Sequence, residues 1–143
     1  MLQQVSRYSA HALALLRIVT ALLFIEHGTL KLFGFPASQA AHAAAGGLSS
    51  LMLVAALLEV FGGLAVLFGL FTRPIAFLLA GEMAVAYWWI HVPTGGFFPV
   101  NNGGDAAVLF CFVFLYLVFT GPGAWSLDVL QRRESARHDS TRR

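Results

Sequence analysis

From Leu48 to Phe71 the chain runs for 24 residues with one charged side chain, Glu59. As a helix such a stretch rises about 36 Å, enough to cross the roughly 30 Å hydrocarbon core of a bilayer. A water-soluble domain has no place for a run this long and this apolar. Three further segments repeat the pattern: Ala10–Phe33, Pro74–Ile90 and Gly104–Thr120. Pro74 suits a first helical turn, and Gly121-Pro122-Gly123 stops the last segment. The remaining composition agrees: 58% of the residues are hydrophobic and only 11% are charged, against about 25% charged in ordinary soluble domains. With 143 residues one domain is expected. The sequence therefore predicts an all-α integral membrane four-helix bundle over residues 1–131, followed by a basic tail, 132–143, without regular structure. Arg17 interrupts the first apolar run, and Glu26, His27 and Lys31 separate it from the small residues "AHA" at 41–43, so the N-terminus reads as a retained helix rather than a signal peptide.

The basic residues set a direction. Four spans put Arg7, Arg73, Arg132, Arg133, Arg137, Arg142 and Arg143 on one side, leaving Lys31 on the other and Arg17 within the first span. The positive-inside rule makes the Arg-rich side, with both termini, cytoplasmic, in a bacterial-type inner membrane. Tyr87, Trp88 and Trp89 then fall at the outer interface, and Tyr8 and Trp125 at the inner one. The basic tail reads as membrane-flanking, not as a nucleic-acid arm. On the outer side, residues 36–45 suggest a short interfacial helix closed by Gly46-Gly47. Residues 91–105 suggest a structured loop in which Asn101 or Asn102 caps the fourth helix, with Asp105 in its first turn.

Charges inside the spans are costly, about 2.5–3.5 kcal/mol each at the bilayer centre on insertion scales, so they are expected to face the bundle and pair. Arg17, Thr20, Phe24, His27 and Lys31 follow helical spacing and form one stripe. Glu26 lies off that stripe. Depth along the helices makes Glu82 or Glu59 a partner for Arg17, and Arg17 with Glu82 is the expected structural ion pair. His27, Lys31, His91 and Asp105 fall in the outer half with Glu59 just beneath, which points to one polar pocket opening near the outer face. Ala55, Ala56, Gly62, Gly63 and Gly69 give the second helix a small-residue packing face. The single Cys111 permits no intrachain disulfide and reads as an apolar filler. No spacing of metal ligands and no covalent haem motif is present, so neither a metal nor a covalently bound cofactor is expected.

Taken in order, "HGTLKL" at 27–32 after Arg17, Glu59 followed by Gly62-Gly63 and by "GLFTR" at 69–73, Glu82-Met83, His91, "GFFPVNNGGD" at 96–105 and "GPGAWSLD" at 121–128 resemble the DoxX family. The resemblance spans about residues 13–128 and departs from the family at Asp105, where a Glu is usual. It implies a four-helix membrane protein similar to DoxD, the quinone-linked membrane subunit of thiosulfate:quinone oxidoreductases. Two functional readings are open. In one, the chain is a membrane subunit of a quinone-linked redox system: His27, Lys31, Glu59, His91 and Asp105 bind a quinone or other small molecule, and a partner protein supplies electrons. In the other, it is a non-catalytic scaffold or assembly factor, as a homo-oligomer or with a partner complex. A small proton or solute transporter is a third class, disfavoured by the short chain and the lack of an inverted repeat.

Overall fold

A computed structural model of the chain describes residues 6–36 and 49–140. The expected interfacial helix at 36–45, with His42, lies almost wholly outside the described residues. Those described are helical, with no strand among them. Helix α1 is Ser9–Phe33, α2 is Ser50–Phe68 and α3 is Thr72–Gly95. All three are long and apolar enough to cross a membrane. Helix α4, Asp105–Thr120, is equally apolar but has only 16 residues. The third segment outruns its expected end at Ile90. It passes through a π-helical turn, Tyr87–His91, that ends two residues before Pro93, where the widened turn relieves the clash a proline ring makes with the carbonyl four residues back.

Three members of the stripe expected on α1, Arg17, Thr20 and Phe24, lie on the face it buries, with Ala14, Ala21 and Gly28; His27 is exposed and Lys31 half-buried. Phe24 meets Phe110 and Phe114 of α4 edge to face at centroid distances of 5.2 and 4.8 Å, a favourable geometry for aromatic rings. α3 and α4 pack along their length, and the core joins Ala21, Val66, Leu79, Met83, Phe114 and Leu117. The small residues of α2 do what their size allows. A Cβ on Gly28 of α1 would lie 2.7 Å from Val60 Cγ2 and 2.9 Å from the Ala56 carbonyl oxygen, so the two backbones touch at that point.

One end of the bundle is locked by a buried arginine. Arg17 is wholly buried and its five N–H groups donate to backbone carbonyls: Pro122, Val66, Leu67, Ala124 and Trp125. This corrects the expected ion pair, since neither Glu82 nor Glu59 contacts it. The physical reason lies in the helix end. Val66 and Leu67 belong to the last turn of α2, which Gly69 closes in the left-handed region (φ 67°) while donating its own N–H to the Val66 carbonyl, so both carbonyls are at the negative end of the helix dipole. The irregular segment after α4 supplies the other acceptors, the carbonyls of Pro122, Ala124 and Trp125. Asp128 completes the lock. Its carboxylate accepts the N–H groups of Phe71 and Thr72 at 2.8 and 2.9 Å, and its own N–H donates to the Gly69 carbonyl. Those bonds hold Phe71 at φ 47°, a conformation that costs a non-glycine residue about 1–2 kcal/mol. Burial alone would raise the Asp128 pKa. The Thr72 and Phe71 N–H groups and the nearby Arg132 charge outweigh it, and the carboxyl sits below its ordinary value.

The tail expected to lack regular structure is instead a helix, α5, Leu127–Ser140. The Ser126 hydroxyl accepts the Val129 N–H at 3.3 Å at its start. Asp128 in the first turn and Arg137 and His138 in the last suit the dipole.

Candidate functional site

At the end of the bundle away from Arg17, a cavity of about 680 Å³ lies between α1, α2, α3 and the start of α4. Its size falls in the range of about 300–1,000 Å³ typical of small-molecule sites. Its wall is overwhelmingly apolar, and its polar groups among the described residues are few: His27, Lys31, Glu59, Glu82 and His91.

Each polar residue is placed by a local feature of the chain. Lys31 is one turn beyond Gly28, where α1 and α2 approach closely, and its ammonium meets the Glu59 carboxylate. Glu59 lies in a second π-helical turn, Leu58–Gly62, and is 2% exposed. Only one of its oxygens is used: Oε1 takes Lys31, while Oε2 is buried with no partner among the described residues. His91 closes the π-helical turn of α3. Each of the two walls that carry these residues is thus interrupted by the rarest helical form, which recurs at functional sites.

The two histidines are held alike. His27 Nδ1 lies 2.8 Å from the Leu23 carbonyl oxygen and His91 Nδ1 3.1 Å from that of Asn102. A carbonyl partner calls for the proton on Nδ1, which leaves Nε2 as the remaining polar atom of each ring. His27 is exposed but stands edge-on to Phe110 at 5.5 Å. Asn102 braces the mouth as well: its Nδ2 donates to the Gly96 carbonyl and its Oδ1 accepts the Gly104 N–H. It thereby fixes the loop before α4 rather than capping the helix, whose N-cap is Gly104.

Glu82 is the residue the sequence misplaced. Expected beside Arg17, it lines this cavity, with both carboxylate oxygens buried and unpartnered among the described residues, within Coulombic reach of Glu59 and Lys31. Asp105 errs the other way: it occupies the first turn of α4 as expected, but is exposed and outside the cavity. Glu26 is exposed and peripheral. Gly81, which the sequence did not single out, also lines the cavity, and a Cβ there would meet no described atom within 4 Å. Three carboxylate oxygens without donors among the described residues and one ammonium, all inside an apolar wall, suit a ligand with a small hydrogen-bonding head and a nonpolar body.

The cavity wall falls largely within the part of the chain that known proteins share. A protein of Haemophilus influenzae described as uncharacterized is 45% identical over 129 residues, covering 89% of this chain and 96% of its own length. No solved structure matches the chain. The DoxX family model matches residues 12–92, more than half of the sequence, including Arg17, His27, Lys31, Glu59, Glu82 and His91. This is a multi-pass membrane protein, and it belongs to the DoxX family.

Proposed function

We propose that the chain is a membrane subunit of a quinone-linked redox system, binding a quinone head group at the polar end of the cavity. The observation that carries the reading is three carboxylate oxygens of Glu82 and Glu59 without donors among the described residues, beside the Lys31–Glu59 ion pair, inside an apolar chamber of quinone size. A quinone oxygen accepts hydrogen bonds, which Lys31 or a protonated Glu82 supplies. A quinol hydroxyl donates, and an ionised Glu82 or Glu59 Oε2 receives. The same carboxylates are placed to take up or give the protons that quinone chemistry moves, with His27 and His91 as further relays. The electrons come from a partner protein.

The proposal includes topology. α4 joins α1–α3 as a fourth span, and both termini are cytoplasmic, in the inner membrane. In support, the start of α1, the α2–α3 turn and the end of α4 share one end of the bundle through the Arg17 and Asp128 bonds. That end carries Arg7 and Arg73, and Lys31 is at the other. Quinone per protein, measured after purification in mild detergent, tests the function. Stoichiometric quinone in wild type that drops several-fold in Glu82→Gln and His27→Ala is the expected result. No enrichment over an unrelated membrane protein removes the redox reading and leaves the scaffold one.

A further inference from the structure

The cavity has an open side at bilayer depth. Near their shared turn, α2 and α3 touch: a Cβ on Gly62 would lie 2.7 Å from Leu79 Cδ2. Farther out they part, and the segment Ser50–Leu57 of α2 packs chiefly on α1. Residues on the two facing walls of this gap line the cavity and are exposed at the same time: Leu51 and Val54 on α2, Phe77, Leu78 and Val85 on α3. Gly81 lies in the middle of the α3 wall. A glycine within a helix weakens it, and is usually explained by a turn or by close packing. Neither applies here, because no described atom would approach an added Cβ. What Gly81 provides is free space between the buried polar end and the lipid-facing surface.

We propose that this gap is a lateral portal, and that the ligand is a lipid-borne molecule whose hydrocarbon chain leaves the cavity over Gly81 between α2 and α3. The proposal rests on the reading that the cavity binds a quinone head group, and adds that the head carries a chain and enters from within the bilayer. A water-borne ligand would need no opening walled by Leu51, Val54, Phe77 and Leu78. A chain in the gap covers those residues and stays in contact with lipid, while the head reaches Glu59 Oε2 and Glu82, which have no donors among the described residues.

The test uses the full chain in lipid nanodiscs and two probes, a benzoquinone with a decyl tail and the same head without a tail. Bound probe per protein is measured above empty nanodiscs. Gly81→Phe and Val54→Trp each place a ring in the gap from one wall. Each is expected to weaken binding of the tailed probe about tenfold or more, the scale of overpacking an occupied site, and to change the tail-less probe less than about twofold. Thermal melting by circular dichroism confirms that both variants are folded. Wild-type binding of the tailed probe in both variants overturns the portal. An equal loss of both probes also overturns it, while leaving the head-group reading in place. No binding of either probe to wild type overturns the two together.

Discussion

Replacing Arg17 by lysine keeps the charge and removes the fork. The guanidinium meets five carbonyls in two directions, Val66 and Leu67 at the end of α2, and Pro122, Ala124 and Trp125 after α4. An ammonium has three donors on one atom and cannot span both groups, so at least two bonds are lost. Hydrogen bonds to charged groups contribute about 1.5–3 kcal/mol each, which puts the loss of two at about 3–6 kcal/mol. Glu82→Gln removes a carboxylate with no partner among the described residues and is expected to change stability by less than about 1 kcal/mol. The assay is the SDS-induced unfolding midpoint in mixed micelles, followed by far-UV circular dichroism, for both single variants and the double. Because Arg17 and Glu82 share no contact, their coupling energy should lie within about 0.5 kcal/mol of zero. A coupling of about 2 kcal/mol or more would mean that the two form an ion pair after all, and would refute the carbonyl lock.

Other perturbations probe the remaining joints. Lys31→Met strands the buried Glu59 carboxylate and should cost about 3–5 kcal/mol, most of it recovered in Lys31→Met/Glu59→Gln, as read by the same unfolding midpoint. Gly28→Ala pushes a Cβ to within 2.9 Å of a backbone oxygen that cannot swing aside, and should cost about 1–3 kcal/mol in thermal melting while weakening quinone retention. The pH dependence comes from Asp128. Its folded pKa is depressed below the ordinary 3.8, so its contribution is fully present above that value and is lost as pH falls through the folded pKa. Melting temperature should therefore decline with acid below about pH 4, and Asp128→Asn should flatten that part of the profile.

Much of the architecture was legible in the residues. The apolar runs place α1 to α4 within a few positions, and the Arg17–Thr20–Phe24–His27–Lys31 stripe is the face of α1 that meets its neighbours. Four of the five expected site residues, His27, Lys31, Glu59 and His91, share one cavity. The misplacements have definable reasons. An inventory of side-chain charges finds only side-chain partners, so the backbone acceptors freed where α2 and α4 end are invisible to it, and depth alone gives Arg17 the nearest acid. Depth along a helix also leaves rotation about it unspecified. Each π-helical turn adds a residue to the α-helical count and rotates the rest of its helix by about 100°. Glu59 and His91 sit in those turns. Asp105 shares the pocket's level, but its place in the first turn of α4 faces it outward.

The carbonyl lock also fixes an order of assembly. Arg17 enters the membrane with α1, yet its partners lie 49 and 50 residues ahead in α2 and 105 to 108 residues ahead after α4. During synthesis the first helix therefore waits with a bare cation, costing about 2.5–3.5 kcal/mol if held at the bilayer centre. α2 relieves part of that cost, and only the arrival of Pro122–Trp125 relieves the rest. The bundle cannot close as a native unit until nearly all of it has been made, and a chain truncated before Pro122 would keep a charged first helix seeking another partner.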